Sequence, residues 1–459
     1  MESSLQYYDA KNNQYRIKKV KGPISGMVEV PGSKSITNRA LCIAAMGIGK
    51  AKITGALFSD DSRHVLKCLK DLGFKLDIFE DEKEVDIIGM GGIIPRSTAT
   101  IDVGSAGTAA RFLTAMLGFS GGEYTINCSK QMASRPMKEL FDILSGQGAE
   151  IEYLGKKGHL PIKIKGCGLL QDRAYSKHDR ADKEIDITVD ISESTQYLSA
   201  LLMIAPSLKH DVKIHVKSDK KIGSYIKITI GMLKKFGVDI KVDEDTYIIS
   251  GRKKPVVGKY HVEPDISAAC YFYALAAITR GKVIVKNVHF STSQGDAEFI
   301  EVLQVMGCEV KDLEPGIEVS GPLHLHGVDV DMNDFSDQAL TLAAISPYVD
   351  SPMFIRNVGH IRGQECDRMA AIIDNLTNAG IDCEIEGDDI LIYPSEPPQA
   401  TVINTYDDHR VAMAFTVMGV KTHDIVIDNP MCCSKTFENF YEVFEGLVYN
   451  NEMGYEDLY

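Results

Sequence analysis

The sequence predicts an α/β protein of two similar domains, each built from three copies of one βαβ-like unit. Three observations carry this. The first is length: 459 residues exceed one ordinary hydrophobic core, so two domains are expected. The second is a recurring amphipathic run that stops at Gly and is followed by alternating strand residues. The third is a recurring polar head, rich in Ser, Thr, Asp, Asn, Gly and Pro, that opens an apolar helix.

The amphipathic runs recur in order as "VLKCLKDLGFKLDI", "LFDILSGQGAEIEY", "ITIGMLKKFGVDIKV", "FIEVLQVMGCEVKDL" and "MAAIIDNLTNAGIDCEI". Their stops fall at Gly73, Gly148, Gly237, Gly307 and Gly380, as expected of a residue that ends helices without steric cost. A sixth, "FENFYEVFEGLV", is expected to close near Gly446 with no strand after it. The copies repeat every ~70–90 residues.

The heads read "PGSKSITNRALCIAAM", "VGSAGTAARFLTAM", "DISESTQYLSALLMIA", "VEPDISAACYFYALAAI", "DFSDQALTLAAI" and "YDDHRVAMAFTVM". Most of their polar residues are ordinary helix N-caps, Asp337 among them. N-capping does not require Lys34, Arg39, Arg111, His409 and Arg410. Helix N-termini carry partial positive charge, so cations there are unfavourable unless something negative joins them. Symmetric packing of the copies would bring these helix starts together around an anionic ligand. The Gly-, Pro- and Lys-rich stretch "GRKKPVVGKYHVEPD", Gly251 to Asp265, marks the expected hinge between domains.

Composition narrows the function. The formal net charge is −14, against broad nucleic-acid binding. The ten cysteines form no CxxC pair, and a reduced, cytoplasmic protein is expected. "MESSLQYYDAKNNQYRIKKV" has no apolar signal-peptide core, and no apolar run of about 18 or more residues predicts a membrane span. "AAMGIGKAK" lacks the first Gly and the Ser or Thr of a P-loop, no GxGxxG opens a helix, and no metal-ligand spacing occurs. What remains is cations in motif positions. Arg135 lies in "CSKQMASRPMKEL", Lys435 in "MCCSKTFENF", and Glu365 and Arg368 in "IRGQECDRMAA", where an intrahelical pair is the plain reading. Together they predict a pocket that grips two anionic groups, with acid/base chemistry and no cofactor.

At these residues the chain resembles the 5-enolpyruvylshikimate-3-phosphate synthase (3-phosphoshikimate 1-carboxyvinyltransferase) family. "PGSKSITNRA" and "GSAGTAAR" resemble two of its signatures, and "RPM", "STQYLSALL", "EPDISAA", "SDQALTLAA", "ECDR", "DHRVAMAF" and "SKTF" follow in the family's order. The resemblance implies βαβαββ units, three per domain, in an inside-out, barrel-like α/β fold with the active site in the interdomain cleft. It implies a first domain over 32–257 and a second over 1–31 plus 258–459. The implied transferase moves the enolpyruvyl group of phosphoenolpyruvate to the 5-hydroxyl of shikimate 3-phosphate, releasing phosphate, in the shikimate pathway toward chorismate and the aromatic amino acids. It uses no metal or organic cofactor, and the protein is expected to act as a monomer.

Carried over by motif, Lys34 touches both substrates. Ser35, Arg39, Ser194, Thr195, Gln196, Tyr225, Asp337 and Gln364 face shikimate 3-phosphate. Gly107, Arg111, Arg135, Gln196, Arg368, Arg410 and Lys435 face phosphoenolpyruvate. Asp337 takes the proton of the attacking hydroxyl, Glu365 protonates the methylene carbon, and His409 hydrogen-bonds near the reacting centre. Ser105, Gln364 and Ile222 depart from the family's usual Asn, Lys and Ser, and Phe112 replaces a common Pro. The sister transferase acting on UDP-N-acetylglucosamine and a non-catalytic binder of anionic metabolites are the alternatives.

Overall fold

The computed structural model describes residues 5–170, 184–218, 223–251, 253–394 and 396–449. Ile222 therefore lies outside the described residues. The chain divides into two compact units, one of Gly32–Val262 and one of Met1–Pro31 with Glu263–Tyr459. Among the described residues, no helix is long and apolar enough to cross a membrane.

Among the described residues, six four-stranded sheets account for the repeats. The copy over residues 98–165 shows the pattern: strand Thr98–Asp102, helix Gly107–Gly118, strand Glu123–Asn127, helix Lys138–Gly146, then strands Glu150–Tyr153 and Ile162–Lys165. The first two strands pair in parallel through a helical crossover, and the last two pair antiparallel. Gly73, Gly148, Gly237, Gly307 and Gly380 all adopt positive φ, which ends the second helix of each copy. Gly446 does not follow. It lies inside helix Phe440–Val448, and the strands absent after that helix come from the other end of the chain. Strand Gln14–Arg16 pairs antiparallel with Val426–Asp428, and Tyr8–Asp9 completes that sheet.

Two strands join sheets far from them in sequence, each within its own unit. Ser25–Val28, which precedes the first long helix, pairs in parallel with Lys282–Val285. Lys259–His261, which precedes helix Ile266–Thr279, pairs in parallel with Lys52–Thr54. The expected hinge segment thus contains a paired strand, and the chain crosses units after Pro31 and again after Val262. Gly32 is required at the first crossing, because a Cβ there would sit 2.0 Å from the Gly55 carbonyl oxygen.

The first helix of each copy is buried nearly all round, as a helix apolar on every face must be. Gly107–Gly118, Ile266–Thr279 and His409–Gly419 bury every residue, while helix Lys34–Met46 leaves only Lys34 and Ser35 partly open. Within each unit these helices pack on one another, which brings their starts together.

Candidate active site

In the unit Gly32–Val262 the cations at helix starts are held mainly by neutral groups. Arg39 is 1% exposed. Its guanidinium donates to Thr229 Oγ1 at 2.7 Å, the Ser35 carbonyl at 3.0 Å, Ser199 Oγ at 3.2 Å and the Tyr225 carbonyl at 3.3 Å. It also lies over the rings of Phe112 and Tyr225, so Phe112 serves the arginine as a cation–π partner. Burial lowers the Arg39 pKa to about 10. Arg39 is thus a hub joining three copies and fixing Ser35 and Tyr225, with most of its donors committed to the protein.

Arg111 is similarly enclosed, donating to the Pro136 carbonyl at 3.0 Å and facing the Tyr197 ring. Gly107 lies against Arg111 and Arg135. A Cβ there would stand 2.7 Å from Arg135 Nη1 and 3.0 Å from Arg111 Nη1, so glycine gives both guanidiniums their place. Asn38 donates to Thr108 Oγ1 at 2.8 Å, tying the first and second helix starts. Ser194 and Thr195 lead into helix Gln196–Ile204, where the buried Gln196 Oε1 has no hydrogen-bond partner among the described residues. Lys34 is the exception to neutral holding: its Nζ lies 3.6 Å from Asp61 Oδ2, a carboxylate only 2% exposed. Asp61 escaped the sequence reading because an acid in a helix's first turn is ordinary.

The other unit gathers Asp337, Gln364, Glu365, Arg368, His409, Arg410 and Lys435 into one ionic network. Arg368, 1% exposed, is its centre. Nε and Nη2 grip Asp408 at 2.7 and 3.2 Å. Nη1 bonds Asp337 Oδ1 at 2.7 Å and also Gln364 Oε1, and Nη2 bonds Glu365 Oε2 at 3.0 Å. Burial works against its charge, but Asp408, Glu365 and Asp337 together hold it firmly protonated. Arg410 Nη2 takes the second oxygen of Asp337 at 2.9 Å, and Lys435 Nζ lies 3.5 Å from Glu365 Oε1. His409 is buried, with Nδ1 3.6 Å from Asp408 Oδ1.

Two sequence expectations change here. Glu365 precedes helix Arg368–Asn378, so its pair with Arg368 spans the helix start and is not intrahelical. Asp337 does not cap a helix. It is the next-to-last residue of an irregular 3-10 segment, Asn333–Gln338, that turns at Phe335, and Gln338 occupies the cap position of helix Ala339–Ile345. That irregularity leaves the Asp337 carboxylate to two arginines. Asp408 is the acid the reading missed. It caps helix His409–Gly419 by accepting from the Arg410 amide at 2.8 Å while gripping Arg368.

Cations at helix starts thus find internal counter-charges or carbonyls. A cluster with three carboxylates and three cations, two of the acids each bonded to cations that an anionic substrate also wants, suits acid/base work on phosphorylated compounds. The family model for EPSP synthase (3-phosphoshikimate 1-carboxyvinyltransferase) matches residues 18–444. The chain belongs to the EPSP synthase family. A 3-phosphoshikimate 1-carboxyvinyltransferase from Trichormus variabilis is 40% identical over 427 residues, 93% of this chain and 97% of that one. A second from Halalkalibacterium halodurans is 36% identical over 430 residues, 92% of each. Among solved structures, EPSP synthase from Acinetobacter baumannii superposes with a TM-score of 0.76 at 24% identity, covering 95% of this chain and 98% of that one. The enolpyruvyl transferase NikO from Streptomyces tendae does so at 0.71 with 15% identity, covering 94% and 96%. These two share the fold of this EPSP synthase family member.

Proposed function

We propose that the chain transfers the enolpyruvyl group of phosphoenolpyruvate to the 5-hydroxyl of shikimate 3-phosphate and releases phosphate. Asp337 takes the hydroxyl proton as the oxygen bonds to the central carbon of phosphoenolpyruvate, and Glu365 delivers a proton to its methylene carbon. Loss of a methyl proton and of phosphate from the resulting tetrahedral adduct then gives the product. Arg368, Arg410 and Lys435 stabilise the negative charge of the donor's phosphate and carboxylate, an effect typically worth several kcal/mol.

The observation that carries this reading is the shared bonding of Asp337 and Glu365 to Arg368. With Lys435 and Arg368 beside it, Glu365 favours the ionised form, unsuited to an acid. Substrate anions compete for those cations, and Glu365, relieved of them, gains the proton it donates. On the other unit, Lys34, Arg111 and Arg135 serve the donor, and Ser35, Ser194, Thr195, Gln196 and Tyr225 the acceptor. Arg39 contributes by fixing Ser35 and Tyr225.

Phosphate release from phosphoenolpyruvate with shikimate 3-phosphate tests the reading, with UDP-N-acetylglucosamine in a parallel reaction. Release only with shikimate 3-phosphate, abolished by Lys34→Ala, is expected. Release only with the sugar nucleotide would assign the chain to the sister reaction. Silence of the folded protein in both would leave an anion binder.

A further inference from the structure

Beside the Asp337–Arg410 pair lies a carboxylate to which the reaction assigns no task. Asp296 sits in the short turn Gly295–Ala297 and is 6% exposed. Its Oδ2 accepts a short hydrogen bond from the Ser267 hydroxyl and another from Gln338 Nε2 at 3.3 Å. Both donors lead to the reacting groups. Ser267 Oγ accepts from Arg410 Nη2 at 3.4 Å, the same nitrogen that binds Asp337. Gln338 is the next residue after Asp337, and its Oε1 is fixed by Thr341 Oγ1 at 2.9 Å.

The charged and titratable groups around Asp296 come from three elements. Helix Ile266–Thr279 and its cap bring Asp265 and Cys270, the segment Asn333–Gln338 brings Asp337, and helix His409–Gly419 brings Arg410. Cys270 stays a neutral thiol, because burial, with Asp296 and Asp265 nearby, raises its pKa well above the ordinary value. Burial pushes the Asp296 carboxyl up to about 7, reinforced by Asp337 and opposed by Arg410 and the Ser267 hydrogen bond. Influence between two carboxylates is mutual, so Asp337 feels Asp296 as Asp296 feels Asp337.

This matters because Asp337 carries Arg368 at 2.7 Å and Arg410 at 2.9 Å. Two guanidiniums at contact favour the ionised carboxylate and make a weak proton acceptor. We propose that Asp296 is a positioning residue for the transfer: through Ser267 and Gln338 it shares the charge of Arg410 with Asp337 and adds a like charge beside it, which keeps Asp337 able to accept the hydroxyl proton. The inference rests on the role of Asp337 given above.

The test is the pH profile of kcat/KM for shikimate 3-phosphate in the wild type and in Asp296→Asn, whose amide preserves size. Asp296 carries that like charge only as it ionises, near pH 7. Wild-type kcat/KM is therefore expected to rise ~3–10-fold between about pH 6 and about pH 8, and Asp296→Asn to lack that rise. A merely structural role lowers activity at every pH and keeps the rise. Ser267→Ala gives a second reading should the Asn variant not fold. It removes a donor that favours the Asp296 anion, so the rise moves to higher pH. A rise at the wild-type pH in whichever variant folds overturns the proposal alone. Absence of turnover by the wild type overturns the functional reading and the proposal with it.

Discussion

Arg368 and Arg39 are both buried to 1% exposure, yet they are satisfied in opposite ways. Arg368 is surrounded by Asp408, Asp337 and Glu365. Arg39 has hydroxyls, carbonyls and two aromatic faces. One guanidinium is paired with carboxylates, two of which the proposed reaction uses for proton transfer; the other is held by hydroxyls, carbonyls and aromatic rings. The repeat places a cation near the helix start in both units, and the loops around it decide whether that cation serves chemistry or rigidity.

The sharpest way to break this contrast is Asp337→Asn. The amide keeps the shape of the carboxylate but cannot take a proton, and kcat is expected to fall ~10²–10⁴-fold. Steady-state phosphate release checks it, and a loss below tenfold would mean that the base lies elsewhere. The analogous change on the neutral side, Ser199→Ala, removes one hydrogen bond to Arg39 and leaves the acid/base groups intact, so kcat stays within a few-fold.

Stability separates the two arginines next. Arg368→Met strands three carboxylates in a buried network and is expected to cost about 3–5 kcal/mol. Arg39→Met leaves only neutral groups without a donor, and the expected cost is about 1–3 kcal/mol. Thermal melts of both variants at one pH decide this. Equal losses would show that the carboxylates around Arg368 do not behave as a charge cluster.

The repeat architecture was legible in the sequence because each copy needs the same two signals, an apolar helix opened by polar residues and an amphipathic helix stopped by Gly. The signal failed at Gly446, where the helix continues because the following strands are supplied from near the N-terminus. Strands of two and three residues, Tyr8–Asp9 and Gln14–Arg16, are too short to carry an alternation. The candidate site divided along similar lines. Cations at helix starts stood out because they oppose the local dipole. Asp61, Asp408 and Asp296 did not, because carboxylates in turns and first helical turns are expected wherever helices begin. Only their burial, which is a tertiary property, marks them.

Gly107→Ala probes the neutral side of the contrast more gently. The new Cβ meets the ends of two arginine side chains, 2.7 Å from Arg135 Nη1 and 3.0 Å from Arg111 Nη1. Those ends swing aside without disturbing the core, so the fold is retained. KM for phosphoenolpyruvate is expected to rise about tenfold, equivalent to ~1.4 kcal/mol. An unchanged KM would remove the two arginines from the donor's binding groups.

The smallest expected effect comes from within the ionic side, where Asp296 differs from its neighbours in having no guanidinium bonded directly to it among the described residues. Burial and the nearby Asp337 charge raise its folded-state pKa from 3.8 to about 7. Between those values the folded chain binds the proton that the unfolded chain releases. The contribution of Asp296 to stability is therefore full below the lower value and is lost as pH rises through the upper one. Asp296→Asn has no proton to lose, so the melting temperature of the variant relative to the wild type is expected to climb by a few degrees between pH 5 and pH 8. Melting curves of both proteins at the two pH values measure this difference. A constant difference would place the Asp296 carboxyl at an ordinary pKa, with the Ser267 hydrogen bond and Arg410 outweighing burial. Asp296 would then be one more ionised partner of Arg410, and the two arginine clusters would differ only in their acids, not in how those acids hold protons.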